Sequence, residues 1–178
     1  MNKNPKILAL DIASNTGWAF GEVGQVIPLS GSERICKKDA SIPAKVGKAM
    51  QFIAKMIQEY DPDIIFVEKR ISSSAHMANR TSATNDTLAA LDHGIQGMAW
   101  NMKKDGRFRK IEEIAVASVR SHFIKAGRLK SDIAKKRVFD RCVQLGWIQL
   151  YDEDQSFDRS DALAIWSYAE SQFSKVLV

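Results

Sequence analysis

An α/β fold with a mixed five-stranded sheet is predicted by three features of this 178-residue sequence. Two short apolar runs, residues 6–13 and 63–68, read as strands buried on both faces, and each carries a carboxylate where the run ends, Asp11 and Glu68. A helical pattern separates them, so the two strands run parallel through a right-handed crossover and deliver Asp11 and Glu68 to one edge of the sheet. Before that helix, two more strand patterns joined by tight turns predict an antiparallel meander, and later helices supply layers for both faces.

Taken in order, the first strand ends at Asp11, a poor strand residue that is rarely buried unpaired. Such a group must pair, accept hydrogen bonds or hold a metal; capping the following turn is its plainer role. The small, turn-forming residues 13–17 reverse the chain into a second strand over 18–23. Gly24 and Gln25 make a tight connection to a third strand over 25–35, which Pro28 confines to an edge because proline cannot donate to the ladder. Ser41, Ile42 and Pro43 open a helix running to Tyr60, with Val46, Met50, Ile53, Ala54 and Ile57 at helical spacing, and Asp61-Pro62 stops it. After Glu68, residues 69–85 are rich in Ser, Thr and Asn and read as a loop. Residues 87–103 form a helix with Leu88, Leu91, Ile95, Met98 and Met102 on one face; Gly94 and Gly97 thin it for close approach by another element, a partner subunit's helix being one candidate. A third parallel strand over 111–117, a short helix over 119–126, a basic helix over 131–145 ending at Gly146, and a short extended piece over 147–150 follow. The last helix starts around Asp158, which places Asp158 and Asp161 on one face of its first turn.

The chain is long enough for one domain with a sizeable core, so residues 1–178 are expected to form a single unit. An apolar fraction of 45% with 26% charged residues is that of a globular protein, and no apolar run approaches the roughly 20 residues that span a bilayer. No apolar signal region follows the first residues, and Cys36 and Cys142 lack metal or disulfide spacing, so a cytoplasmic protein without a membrane partner is expected. The net charge of +5 is concentrated. Between positions 120 and 141 stand Arg120, Lys125, Arg128, Lys130, Lys135, Lys136, Arg137 and Arg141 against Asp132 and Asp140, an excess larger than that of the whole chain. A clustered positive surface suits a polyanion such as nucleic acid; a solvated helix face is the plainer alternative.

The chemistry comes from combining the acids. Asp11, Glu68, Asp158 and Asp161, brought together, cannot all stay ionised without cations. Oxygen donors without histidine or cysteine select hard ions, Mg2+ or Mn2+, and two such ions are the usual machinery for hydrolysing a phosphodiester. The tail acids Asp152, Glu153 and Asp154 read as a solvated loop, and His76, His93 and His122 share no ligand spacing.

Strand-Asp, meander, helix, strand-Glu, helix, strand and a late helix with Asp-x-x-Asp is the order of the ribonuclease H-like fold. Within it the sequence resembles the RuvC family of Holliday-junction resolvases over nearly its whole length. The resemblance rests on Ile7-Leu8-Ala9-Leu10-Asp11 with Thr16-Gly17-Trp18-Ala19, on Phe66-Val67-Glu68, and on Asp158-Arg159-Ser160-Asp161-Ala162-Leu163-Ala164, the most specific of the three. Residues 91–97 also look like the family's second helix, whose small residues pack near the dimer interface. The resemblance implies that Asp11, Glu68, Asp158 and Asp161 bind metal, with Asp11 between two ions, Glu68 on one and Asp158 with Asp161 on the other. It implies that Arg120 and Lys135 stand near the scissile phosphate, Lys135 as a catalytic residue. The spacing between these two is longer than the family's, and Arg120 replaces a lysine. The segment after Glu68 departs most: Lys69-Arg70-Ile71-Ser72-Ser73 has no aromatic residue, a divergence that looks more like a phage or prophage relative than the housekeeping enzyme.

The expectation is therefore a Mg2+-dependent endonuclease resolving four-way DNA junctions as a homodimer, with recombination or branch-migration proteins as possible partners. DNA contacts are expected from Lys69, Arg70, Arg80, Arg120, Lys130, Lys135 and Lys136, and Ile71 and Met77 in the 69–85 loop could wedge against an unstacked base. A nuclease acting on RNA–DNA hybrids shares fold and metals but places its last acid differently and lacks the basic segment before the final helix. An ATP-binding fold of the actin and sugar-kinase type needs two such domains and more than twice this length. A catalytically dead DNA-binding module would have lost an acid, and none is lost.

Overall fold

The computed structural model describes residues 4–69, 82–106, 108, 110–149, 151–152 and 157–174. Five strands, β1 (Lys6–Asp11), β2 (Asn15–Glu22), β3 (Leu29–Arg34), β4 (Ile64–Glu68) and β5 (Lys110–Ile114), form one mixed sheet in the order β3-β2-β1-β4-β5. The first three strands are an antiparallel meander, and β4 and β5 run parallel to β1. Among the described residues five helices accompany the sheet: α1 (Ile42–Tyr60), α2 (Ser82–Lys104), α3 (Val116–Ile124), α4 (Ser131–Gln144) and α5 (Asp158–Ser174).

The two-residue period of the strands sorts the core into two layers. Leu8, Leu10, Ile65 and Val67 point to one face, where α1 and α2 cover them with Phe52, Ile53, Met56, Leu91 and Ile95. Ile7, Ala9, Ile64 and Phe66 point to the other and meet α3, α4 and α5 through Val119, Val138, Leu163 and Trp166. The same alternation assigns the two terminal acids. Leu10 stands opposite Val67, so Asp11 and Glu68, the next residues along, end side by side and on the α5 face.

Several sequence expectations shift. β3 begins at Leu29, not at 25: Gly24 turns the chain at φ 88°, and the Gln25 side chain accepts from the Glu22 N–H and donates to the Ile27 carbonyl, occupying groups a longer ladder would need. Pro28 stands just before β3, and β3 is indeed an edge. β2 extends back to Asn15, pairing with Arg34, so the expected turn shrinks. On α1 the buried face is Lys45, Ala49, Phe52, Ile53, Met56 and Ile57, rotated from the expected stripe while keeping Ile53 and Ile57, with the small Ala49 at the close approach to Gly94 of α2. Ser41 caps this helix by accepting from the Ala44 N–H, and Asp61 closes it in the left-handed region. α2 begins at Ser82, so residues 82–85 are helix rather than loop; residues 70–81 of that loop, with Ile71 and Met77, lie outside the described residues. β5 stops at Ile114, whose carbonyl receives the Lys69 N–H, and α3 starts at Val116. Residues 147–149 bend instead of extending, and the Trp147 indole donates to the Val26 carbonyl at 2.8 Å. Among the described residues no helix is long and apolar enough to cross a membrane.

The two glycines of α2 differ. A Cβ on Gly94 would stand 2.8 Å from the Val46 carbonyl oxygen, so the close approach it permits is to α1 of the same chain; a Cβ on Gly97 would meet nothing within 4 Å. Gly94→Ala is expected to lose roughly 1–2 kcal/mol despite its better helix propensity, whereas Gly97→Ala gains up to about 1 kcal/mol. Urea unfolding of the two variants checks this, and equal effects of the same sign would contradict the assignment of Gly94 to the α1 contact.

Candidate active site

An open cavity of about 510 Å3 lies where the carboxyl ends of β1 and β4 meet the start of α5. Asp11, Glu68, Asp158 and Asp161 all line it, as do Lys69, Arg120 and Lys135. Each arrives for a local reason. Asp11 and Glu68 end parallel strands whose preceding residues are fully buried, which fixes both backbones at the rim. Asp158 and Asp161 sit one turn apart at the N-terminus of α5, where the orphan N–H groups and the helix dipole favour negative charge. Arg120 comes from α3 and Lys135 from α4, which lie on the same face of the sheet as α5.

The first turn of α5 is held hard against β2. A Cβ on Gly17 would stand 1.8 Å from the Asp158 carbonyl oxygen, so only glycine lets the helix backbone come this close. Phe157 enters the helix at φ 60° with its ring edge-on to Phe139, and the fully buried Ser160 hydroxyl donates to the Phe157 carbonyl. Fully buried Thr16 locks the turn after Asp11: its hydroxyl donates to the Ala13 carbonyl at 2.6 Å and accepts from the Ala13 N–H. Arg159 ties the helix start outward, to the Ser30 hydroxyl and to Asp152, both at 2.9 Å.

The electrostatics follow from this convergence. Burial raises the Asp11 carboxyl well above its ordinary range, Glu68 and Asp161 push it further, and Lys135 opposes them in part. Asp161 is raised to about 6, again chiefly by burial, against the lowering effect of Lys135, whose ammonium stands 3.5 Å from Oδ2, and of Arg120. The Asn15 side-chain amide donates to Asp158 Oδ2 at 2.6 Å.

The oxygen-only donor set of Asp11, Glu68, Asp158 and Asp161 suits a hard divalent cation, whose charge would offset the cost of ionising the buried Asp11 and Asp161 carboxyls. Among the described residues no three acidic, histidine or cysteine side chains stand in a ready-made metal-holding cluster.

The other expected residues are placed differently. Lys130 and Lys136 are exposed and absent from the cavity lining, and Lys136 pairs with Asp140 one turn along α4. Arg70 and Arg80 lie outside the described residues, as do Glu153, Asp154 and His76. Asp152 is engaged by Arg159, His93 is exposed, and the His122 Nε2 is 3.1 Å from the Ser167 hydroxyl with its ring edge-on to Tyr168. Asp92 and Ser131 also line the cavity, and Asn15 bonds the Asp158 carboxylate from the start of β2; none of the three is a site candidate from the sequence.

Raised carboxyl pKa values set the pH dependence of stability. The folded state holds these protons more tightly than the unfolded chain, so stability falls as pH rises. For Asp161 the loss accrues from the ordinary value of 3.8 to about 6 and amounts to roughly 3 kcal/mol when complete. In EDTA, Asp11→Asn is therefore expected to be more stable than the parent at pH 8, with the difference shrinking towards pH 4. Thermal unfolding across that range measures it; a variant less stable than the parent at pH 8 would refute the strain ascribed to Asp11.

No protein-family model matches the sequence, and no curated protein matches it significantly. Solved structures do. The chain superposes on RuvC of Thermus thermophilus with a TM-score of 0.68 at 13% identity, covering 96% of each chain. It superposes on the yeast mitochondrial Holliday junction resolvase Ydc2 with a TM-score of 0.66 at 12% identity, covering 97% of this chain and 82% of that one. The Fowlpox virus resolvase, solved with Holliday junction DNA, gives 0.57 at 14% identity, with 94% and 98% covered. At such identities the likeness is one of architecture: the chain has the RuvC-type, ribonuclease H-like fold.

Proposed function

We propose that this chain is a divalent-metal-dependent endonuclease that cuts branched DNA, four-way junctions foremost. One observation carries the reading: acids from β1, β4 and α5 line a single open cavity with Lys135 and Arg120 among them, within the fold of proteins solved as Holliday junction resolvases. Asp11, Glu68, Asp158 and Asp161 would hold Mg2+ or Mn2+, as a pair of ions. Bound there, the metal supplies an activated water and a counter-charge for the leaving oxygen.

The chain's own contribution is to hold a phosphodiester beside four acids that repel it. Lys135 and Arg120, which line the same cavity, would bring the compensating charge, their N–H groups donating to the non-bridging oxygens as water adds to phosphorus and charge accumulates there. Lys69, which follows Glu68 at the cavity, and the exposed Lys130 and Lys136 extend the positive surface for the flanking backbone. A four-way junction offers two symmetric strands to cut, so the working unit is a C2 homodimer with both cavities on one side.

A gel assay with a mobile four-way junction, a Y-fork, a linear duplex and an RNA–DNA hybrid in Mg2+ tests the reading directly. The junction should be cut most efficiently; preferential cutting of the hybrid would replace this proposal with a ribonuclease H activity. Asp11→Asn and Asp161→Asn should each abolish cleavage while leaving junction binding intact or tighter, because lost charge weakens metal binding and eases phosphate repulsion. Either variant cutting within tenfold of the parent would overturn the site. Alanine at both Lys135 and Lys136 should lower the salt slope of junction binding by about one for each lost phosphate contact. An unchanged slope and affinity would reduce the basic segment to a solvated face.

A further inference from the structure

We infer that Asn15 is the positioning residue of the candidate metal centre: its side-chain amide presets the Asp158 carboxylate for the cation. The inference rests on the metal-dependent reading of the cavity and adds a residue to it.

The placement is built by the backbone. Asp11 stands opposite Gly17 across the β1–β2 ladder and Ala9 opposite Ala19, so the odd-numbered residues of β2 face α5. Asn15, two residues before Gly17, belongs to that row at the very start of the strand. Because Gly17 has no Cβ, the Asp158 backbone settles onto the strand, and the carboxylate arrives 2.6 Å from the Asn15 amide nitrogen. Asp158 as a residue is only 7% exposed and stands in the wall of the open cavity, with the Asn15 amide on its Oδ2.

The two acids of α5 are thus held by different chemistry. Asp161 is held by the ammonium of Lys135, a positive charge that competes with any cation for the same oxygens. Asp158 is held by a neutral donor, which orients the carboxylate without opposing a second positive charge. The amide engages Oδ2, and the carboxylate can still turn its remaining electron pairs to an ion. Such outer partners of a ligand fix its geometry, and their loss commonly costs 10–100-fold in metal affinity.

The test uses the whole 178-residue chain. Mn2+ binding is measured by isothermal titration calorimetry for the parent, Asp158→Asn, Asn15→Ala, Asn15→Gln and Asn15→Asp, with junction affinity in EDTA and thermal unfolding measured alongside. Asn15→Ala should weaken Mn2+ binding about tenfold or more and raise the Mg2+ concentration for half-maximal cleavage by a similar factor. Asn15→Gln, which keeps an amide donor, should recover part of the loss. Asn15→Asp should recover none of the positioning, since it removes the donor and faces Asp158 with a like charge. Junction affinity in EDTA should stay within twofold of the parent. Asn15→Ala binding Mn2+ with parental affinity would overturn the inference, as would a loss of unfolding temperature with no change in metal affinity. If the parent and Asp158→Asn take up Mn2+ alike, the metal reading itself fails, and that outcome is distinguished by involving no Asn15 variant.

Discussion

Negative charge gathered at the open end of two parallel strands is the constraint to which the rest of this molecule answers. Asp11 and Glu68 are carried to the rim by strands whose preceding residues are fully buried on both faces, so neither backbone can retreat. The N-terminus of α5 then brings two more acids against them. Burial makes ionisation costly there: the Asp11 carboxyl is raised well above its ordinary range, with Glu68 and Asp161 adding to it, and Asp161 is raised to about 6 despite Lys135 and Arg120. Strain of this kind at one place in an otherwise well-packed domain is the usual mark of a working site.

Holding the acids together falls to the rest of the fold. α5 is pinned along its length: Gly17 admits its first turn, Gly21 admits the Trp166 ring, and Ala162, Leu163 and Ala169 fill the layer above β1 and β2. A helix so fixed cannot move its acids away from the strands to relieve repulsion. Relief comes instead from neighbouring cations on α3 and α4, which stand on the same face because those helices pack against α5. The position of Lys135 in the cavity, with Lys136 turned outward to Asp140, is the ordinary consequence of consecutive helical residues pointing about 100° apart.

Much of this was legible in the residues. The apolar runs at Ile7–Leu10 and Ile64–Val67, each closed by an acid, pointed to the parallel pair and put both acids on one edge; their common face came with the observed register of Leu10 opposite Val67. The Asp158-x-x-Asp161 spacing fixed a shared helical face. Boundaries were less legible: β3 begins four residues later than its composition suggests, because side-chain bonds and a proline can displace a ladder without altering hydrophobicity.

What the sequence determined alone is therefore the list of acids, their elements and their common edge, since these depend on local periodicity and chain order. Only the tertiary structure separated Lys69, Arg120 and Lys135, which line the cavity, from Lys130 and Lys136, which do not, and showed that Gly94 serves α1 of the same chain and that Asn15 reaches Asp158 across 143 positions. The reason is physical. A helix's rotation about its axis and its closest approach to a sheet are set by the volumes of side chains contributed from several elements at once, and no window of sequence contains them together.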